Sequence, residues 1–214
     1  MKPDSPILYY VHDPMCSWCW GFRPVWNQVQ EALAGKVAIR YILGGLAIDS
    51  DQAMPEELQH TIITTWKNIQ QEVPGIKFNY DFWTQCKPRR STYPACRAII
   101  ACRVQQPKLE SDMLLAIQQA YYLEAKNPSD IDVLIALADK LGLDIEQFAK
   151  DIVSDDCQNA LMGEIAFCRE NYVHSFPSLV LKQAESYAFI KLDYNDSDSI
   201  LSQIHQHMVQ HQKM

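Results

Sequence analysis

The order of predicted elements at the start of the chain constrains its fold more than any other feature. Ile7–Val11 is a short apolar run rich in β-branched and aromatic residues, which is typical of a buried strand. Apolar residues then recur at three- and four-residue steps through Cys16–Leu33, which is helical spacing, and Val37–Leu43 predicts a second strand. A helix between two such strands predicts a βαβ unit with parallel strands and a right-handed crossover.

The middle of the chain has a different character. It contains no strand candidate and six predicted helices, which are Pro55–Gln71, Pro94–Val104, Glu110–Glu124, Asp130–Leu141, one that starts at Asp144, and Asp155–Tyr172. After these helices, Ser178–Lys182 and Ala188–Leu192 predict a β-hairpin, and a last amphipathic helix follows. An α/β sheet interrupted by an all-helical segment explains this order with the fewest assumptions.

Composition and charge narrow the function. The 214 residues carry 19 Lys and Arg against 26 Asp and Glu, for a net charge of −7. This acidic balance argues against a nucleic-acid partner, because phosphate-backbone binding requires clustered basic residues. No apolar run approaches the ~20 residues that cross a bilayer, so we expect no membrane partner. The first residues lack the long apolar stretch of a secretory signal and, with Met1 as the native start, predict a cytoplasmic protein.

The chain has seven cysteines, and most of them do not look catalytic. An odd number at irregular spacings does not suit a disulfide scaffold. In a reducing compartment most should be free thiols, since buried cysteine behaves as a small apolar residue. We expect structural or unpaired side chains at five of them, namely Cys86, Cys96, Cys102, Cys157 and Cys168.

The other two cysteines form a C-x-x-C motif, Cys16-Ser17-Trp18-Cys19, where the first predicted strand passes into the first helix. This spacing beside a βαβ pattern is typical of a dithiol redox site. Two intervening residues in the first helical turn bring the sulfurs close enough to form a disulfide. Unpaired backbone N–H groups and the positive end of the helix dipole favour a thiolate at the helix start. We therefore expect Cys16 to be the more exposed nucleophile and Cys19 the resolving thiol.

The alternative interpretation of the motif is half of a zinc site. Zinc needs four ligands, and the sequence has no second C-x-x-C and no suitably spaced histidine pair. Cys86, Cys96 and Cys102 are wrongly spaced to complete such a site. We therefore predict no metal and no other cofactor.

A second signal is Ser175-Phe176-Pro177-Ser178, immediately before the predicted hairpin. Proline tends to occupy the first residue of a strand, and X-Pro bonds are where cis peptides occur. A cis bond here would leave the backbone groups of Phe176 free to pair with an extended substrate beside Cys16. From this tetrapeptide alone, however, we predict an ordinary trans bond in a loop, because only ~5% of X-Pro bonds in folded proteins are cis.

Four further residues lie in or beside the motif, namely His12, Asp13, Trp18 and Trp20. We expect Asp13 to be exposed, so that solvent screens its charge from Cys16. His12 either tunes Cys16 or only ends the first strand. Trp18 and Trp20 could form an apolar lip for unfolded substrates or pack the helix, and the helical spacing favours the surface for Trp18 and the core for Trp20.

Three segments resemble the DsbA-like branch of the thioredoxin superfamily. They are Asp13-Pro14-Met15-Cys16-Ser17-Trp18-Cys19-Trp20-Gly21, Ser175-Phe176-Pro177-Ser178-Leu179 and, less specifically, Tyr93-Pro94-Ala95-Cys96-Arg97-Ala98. Within this branch the chain looks most like the cytoplasmic, FrnE-like predicted protein disulfide isomerases. The resemblance covers nearly the whole chain, in order.

The resemblance implies an α/β thioredoxin-like fold interrupted by an all-helical insertion domain. We assign residues 1–50 and 173–214 to the thioredoxin-like domain and residues 51–172 to the insertion. The resemblance also implies catalytic residues Cys16 and Cys19 and a cis-proline at Pro177, and we place Ser17, Trp18, Phe176 and Pro177 at the substrate. It predicts a thiol–disulfide oxidoreductase or disulfide isomerase whose partners are protein or peptide thiols and disulfides.

Two other functions remain open at this point. The same branch resembles kappa-class glutathione transferases and 2-hydroxychromene-2-carboxylate isomerases, in which a serine typically takes the position of Cys16 and holds the thiolate of glutathione. A glutathione-dependent isomerase or transferase is therefore an alternative, and glutathione is a candidate partner in either case. A non-catalytic redox switch protein is the third. The dipeptide Ser17-Trp18 differs from both the Pro-His and the Gly-Pro pairs of relatives, which leaves the direction of electron flow open.

Overall fold

The computed structural model describes residues 5–212 and the side chains up to residue 209. The chain begins with the βαβ unit, in which β1 spans Ile7–His12, α1 spans Ser17–Leu33 and β2 spans Ala38–Leu43. Gly35, with a φ of 71°, follows the end of α1, where a left-handed residue commonly closes a helix. β1 and β2 pair in parallel, as predicted for a βαβ unit.

Seven helices follow between β2 and the next strand. They are α2 (Glu56–Glu72), α3 (Phe82–Gln85), α4 (Tyr93–Gln105), α5 (Glu110–Tyr122), α6 (Ile131–Lys140), α7 (Ile145–Asp151) and α8 (Asp155–Glu170), with a short 3₁₀ turn at Pro107–Leu109. The single-turn helix α3 and the 3₁₀ turn are absent from the sequence prediction, because neither is long enough to show a helical period.

The chain then returns to the sheet. β3 (Ser178–Gln183) and β4 (Ser186–Ile190) form the predicted antiparallel hairpin, and α9 (Ser197–Gln212) ends the described structure. The sheet has the order β2-β1-β3-β4, and β3 pairs antiparallel with β1, with Val11 opposite Ser178. This pairing brings the end of β1, which leads to Cys16, next to the start of β3, which follows Pro177.

One large apolar core connects the sheet to the helices. It includes Leu8 and Tyr10 from β1, Trp26 from α1 and many side chains from α2 to α8. A smaller apolar cluster, around Tyr9 and Val180, covers the other face of the sheet. The α/β class with a helical segment between β2 and β3 is therefore confirmed. The division into two domains stays a prediction, and residues 1–4 and 213–214 of the predicted thioredoxin-like domain lie outside the described residues.

Within the part of the chain that the structure describes, no helix is long and apolar enough to cross a membrane.

Candidate active site

Cys16 lies at the start of α1, in the position that caps the helix. Its backbone is extended, and its N–H donates a hydrogen bond to the carbonyl oxygen of Asp13 at 3.0 Å. The side chain is 7% exposed, and its Sγ donates to the carbonyl oxygen of Phe176 at 3.3 Å. Cys16 is therefore largely buried, although we predicted an exposed nucleophile, and its sulfur lies at the helix N-terminus in contact with the loop that precedes β3.

Cys19 is one turn further along α1 and fully buried. Burial raises the pKa of its thiol well above the usual value, and the neighbouring Cys16 raises it further. Two thiols of one motif thus have different surroundings. Both residues are buried, but Cys16 keeps 7% of its surface exposed and Cys19 keeps none, so Cys16 is the more exposed of the two.

The loop before β3 completes the surroundings of Cys16. The Phe176–Pro177 peptide bond is cis, and Pro177 is buried. The Phe176 ring packs so closely on Gly44 that a side chain at position 44 would overlap it. Residues 160 positions apart in sequence therefore meet because β1 and β3 are neighbours in the sheet.

The two middle residues of the motif face different elements. The Ser17 hydroxyl oxygen accepts a hydrogen bond from the indole Nε1 of Trp66, on α2, at 2.9 Å. Trp18 is half-buried, and its ring meets Tyr194 edge to face at a centroid distance of 5.1 Å. The structure thus places Ser17 against the helical segment and Trp18 against the loop before α9. We predicted Trp18 on the surface, and this loop leaves it half-buried.

Trp20 lies in the core, as its helical position predicts. Its ring is 7% exposed and stacks on Tyr122, and its Nε1 donates to the carbonyl oxygen of Lys77 at 3.0 Å. It therefore anchors α1 to the helical segment and is not part of an exposed apolar lip.

The expectation that Asp13 is exposed is wrong, because the side chain is fully buried. Its carboxylate accepts hydrogen bonds from the Met15 N–H at 2.8 Å, the Leu46 N–H at 2.7 Å and the Thr92 hydroxyl at 2.7 Å. Burial raises the pKa of Asp13, and these hydrogen bonds oppose the rise. Asp13 therefore ties the Cys16 loop to the loop after β2 and to the start of α4.

His12 is fully buried at the end of β1, and neither ring nitrogen has a hydrogen-bond partner. It stacks on Tyr10 and meets Tyr41 edge to face. Burial lowers the pKa of His12 to about 3, with Arg23 and Arg103 acting in the same direction. The imidazole is therefore neutral at physiological pH and packs as an aromatic ring.

Of the other five cysteines, one contacts the loop that carries Cys16. Cys102, Cys157 and Cys168 are buried, and Cys86 is half-buried with its Sγ donating to a backbone carbonyl. Cys96, on α4, lies with its Sγ 3.6 Å from Oδ2 of Asp13, on the inner side of the active-site loop. Burial raises the pKa of the Cys96 thiol well above its usual value.

The sequence reasoning missed several residues that contact the motif or its loop, among them Trp66, Thr92, Leu46 and Tyr194. Trp66 and Thr92 come from the helical segment, and the sequence carries no signal that pairs either with residues 13–19. Trp66 lies on the apolar face of a predicted helix, which shows only that it is buried. Within residues 5–212, no group of three or more His, Cys, Asp or Glu side chains lies close enough to hold a metal ion.

Comparison with known proteins places this geometry in context. A family model described as Thioredoxin matches residues 9–203. Among curated proteins, the ClpXP adapter protein SpxH of Halalkalibacterium halodurans is 26% identical over 184 residues, which are 84% of this chain and 60% of that protein. SpxH of Bacillus subtilis is 26% identical over 83% of this chain and 58% of its own length. The chain thus spans less than two thirds of these relatives.

Solved structures match over more of the chain. A protein disulfide isomerase candidate from Nitrosomonas europaea has a TM-score of 0.86 at 24% identity, covering 97% of this chain and 100% of that chain. The cytosolic disulfide reductase DsbM from Pseudomonas aeruginosa has a TM-score of 0.75 at 22% identity, covering 94% and 98%, and is also known in a structure with GSH. These matches confirm the thioredoxin-like fold.

Proposed function

This chain belongs to the thioredoxin family, and from that premise we propose that it is a thiol–disulfide oxidoreductase that acts through Cys16 and Cys19. The observation that carries the proposal is the contact of the Cys16 Sγ with the Phe176 carbonyl oxygen, beside the cis peptide bond to Pro177. It puts the more exposed cysteine of a C-x-x-C pair next to backbone groups that can hold a substrate.

The reaction follows from the different exposure of the two thiols. In reduction, the Cys16 thiolate attacks one sulfur of a substrate disulfide, and the other sulfur leaves as a thiolate that takes up a proton. Cys19 then loses its proton and attacks the Cys16 sulfur of this mixed disulfide. The substrate is released reduced, and Cys16 and Cys19 are left joined as a disulfide. Oxidation of a dithiol is the same sequence in reverse.

The resolving step gains from the change in charge at Cys16. In the reduced protein, Cys16 is one cause of the raised pKa of Cys19. Once Cys16 is bonded to substrate it carries no negative charge, so this cause disappears and Cys19 ionises more readily. Cys19 is therefore held as a thiol until there is a mixed disulfide to attack.

The Phe176 carbonyl changes partner in the same cycle. It accepts a hydrogen bond from the Cys16 thiol in the reduced protein. When that thiol ionises or bonds to sulfur, the donor is lost and the carbonyl is left to accept from a substrate N–H. Phe176 and Pro177 are thus proposed to align an extended substrate, with Ser17 and Trp18 on the adjoining surface of α1.

For substrates we propose protein or peptide thiols and disulfides, with glutathione as a small-molecule partner, and for location the cytosol. The likeness to the cytosolic disulfide reductase DsbM, which is known in a structure with GSH, supports both. Trapping of mixed disulfides from a cell lysate with a Cys19→Ser variant tests the substrates, and cell fractionation tests the location.

A second candidate function is protein binding without turnover, as an adapter or a redox switch. The likeness to the ClpXP adapter SpxH over most of the chain favours it. In that case the Cys16–Cys19 pair would change the shape of a binding surface and would not process substrates.

Reduction of insulin, measured beside conjugation of glutathione to a model electrophile, separates these functions. We expect turnover of insulin that falls by at least about a thousandfold in Cys16→Ser, because the nucleophile is lost. Cys86→Ser, at a cysteine that is more exposed than Cys16, is the matched control and should keep full activity. Conjugation without insulin reduction would favour a transferase, and no turnover in either assay would favour the adapter.

A further inference from the structure

A cavity of about 290 Å³ lies directly beside the candidate active site. Its wall is formed by the loop after β2, Gly44–Leu46, by Tyr93 at the start of α4, by Arg169 at the end of α8, and by His174 and Phe176. This volume is at the small end of the range for ligand pockets, so it suits one end of a short peptide and not a folded protein segment.

Phe176 joins this cavity to the reacting sulfur. Its carbonyl oxygen contacts the Cys16 Sγ, while the residue also lines the cavity. Phe176 is therefore the residue that the cavity and the surroundings of the Cys16 sulfur have in common.

Close packing of the glycine loop fixes the position of the cavity. Gly45 has a φ of +62°, and a Cβ there would lie 2.6 Å from Cδ1 of Ile165 and 2.9 Å from Cε1 of Tyr93. Only glycine allows α4 and α8 to approach the loop this closely. Leu46, next in sequence, donates its N–H to Asp13, which ties the same loop to the Cys16 turn.

The charge of the cavity is set by Arg169. Its side chain is exposed, and it makes no ion pair within 4.0 Å with any carboxylate of the described residues. Burial raises the pKa of Tyr93 and Arg169 opposes that rise, which is consistent with a guanidinium near the Tyr93 hydroxyl. The two carboxylates that raise the pKa of Tyr93 are already occupied, since Asp49 binds Arg97 at 2.7 and 2.8 Å and Asp13 accepts four hydrogen bonds.

A second, larger cavity of about 540 Å³ provides the contrast. It is lined by four aspartates and two arginines, and both arginines are paired, Arg97 with Asp49 and Arg89 with Asp130. An anion entering it would be repelled by the aspartates, because both arginines are already paired with carboxylates. Within the described part of the chain, the smaller cavity beside Phe176 instead has an unpaired arginine, Arg169, and no acidic side chain in its lining.

We propose that the cavity lined by Tyr93, Arg169, His174 and Phe176 binds the carboxylate end of a small anionic thiol or disulfide, such as glutathione, while its sulfur lies at Cys16. The guanidinium of Arg169 pairs with the carboxylate, and Tyr93 and His174 donate hydrogen bonds to it. This inference rests on the proposed oxidoreductase function and adds the class of small substrate that the site prefers.

The test compares two small disulfides that differ in charge. The reduced protein is mixed with glutathione disulfide, which carries carboxylates, or with 2-hydroxyethyl disulfide, which is neutral, and formation of the Cys16–Cys19 disulfide is timed by acid quench and thiol labelling. Attack by Cys16 on glutathione disulfide releases one glutathione thiolate, and attack by Cys19 on Cys16 releases the second, so one protein disulfide forms for two molecules of glutathione.

We expect Arg169→Gln to slow the reaction with glutathione disulfide about fivefold at low ionic strength, the scale of one exposed ion pair, and to leave the reaction with 2-hydroxyethyl disulfide unchanged. Arg40→Gln, at an exposed arginine on the edge strand β2, is the matched control and should change neither. Added salt should reduce the effect, since it screens an exposed charge.

S-methylglutathione gives a second readout without redox chemistry, because it has no free thiol. Its inhibition constant against glutathione disulfide should be about fivefold lower for the wild type than for Arg169→Gln. An equal effect of Arg169→Gln on both disulfides, or none on either, would overturn the carboxylate site while leaving the oxidoreductase function intact. A wild-type protein that reacts with neither disulfide would overturn both.

Discussion

The two sides of the candidate active site are built from very different amounts of sequence. The sulfurs and the cis-proline loop come from two short stretches, residues 13–19 and 175–178, that β1 and β3 bring together. The other side comes from α2, from α4 and the residue before it, from α5 and from α8, which are spread over more than a hundred residues. It supplies Trp66, Thr92, Tyr93, Tyr122 and Arg169. In the proposed mechanism, the sheet side carries the chemistry, and the helical side sets the shape and charge of the surface that a substrate meets. Changes on the two sides should therefore have separable effects.

The first prediction concerns the sheet side and has the largest expected effect on stability. The folded protein holds the pKa of His12 near 3, below the 6.5 of an unfolded histidine. As the pH falls from 6.5, the unfolded chain gains a proton that the folded chain does not, so the stability present above pH 6.5 is lost toward pH 3. Relative to His12→Leu, the wild type should lose about 2.5 kcal/mol of unfolding free energy between pH 6.5 and pH 4.5.

Urea denaturation at several pH values measures this slope. His60→Leu, at an exposed histidine on α2, is the control and should keep the wild-type pH dependence. If His12→Leu and the wild type have parallel curves, His12 is not the buried neutral ring described above.

The second prediction concerns the carboxylate that joins the two sides. Asp13→Ala removes the acceptor of two backbone N–H groups and of the Thr92 hydroxyl, and should cost about 2 kcal/mol of stability, because buried donors are left unpaired. Asp13→Asn keeps one acceptor oxygen and should cost about half as much. Chemical denaturation at pH 7 measures both. An alanine variant as stable as the wild type would mean that the cost of burying the carboxylate cancels its hydrogen bonds.

The smallest effect is expected for the contact between the motif and α2. A double-mutant cycle with Trp66→Phe and Ser17→Ala should give a coupling energy of about 1 kcal/mol, the usual net value of one hydrogen bond. The cycle separates this bond from the loss of packing at Trp66. A coupling near zero would show that the helical side does not hold Ser17.

The sequence predicted the sheet side well, because its signals are local. The βαβ order, the hairpin and the C-x-x-C motif at a helix start can each be recognised within a short window. The cis peptide bond between Phe176 and Pro177 was expected only from the family resemblance, because the four residues around it do not distinguish cis from trans.

The sequence predicted the helices of the helical side but not their contacts with the active-site loop. Asp13 was expected in solvent because its partners Leu46 and Thr92 are 33 and 79 positions away, and no pattern in the sequence links them to it. Trp66 shows the same limit, since an apolar helix position indicates burial but not which residue it meets. Contacts between distant segments decide these features, and only the folded chain reveals them.

The most direct test of the central claim is to trap the intermediate. A Cys19→Ser variant, reduced and then mixed with glutathione disulfide, cannot resolve the mixed disulfide that Cys16 forms. Peptide mass spectrometry should find one glutathione per chain, attached to Cys16, and none on the control Cys16→Ser/Cys19→Ser. Attachment at another cysteine such as Cys86, or no adduct at all, would contradict the assignment of Cys16 as the attacking sulfur.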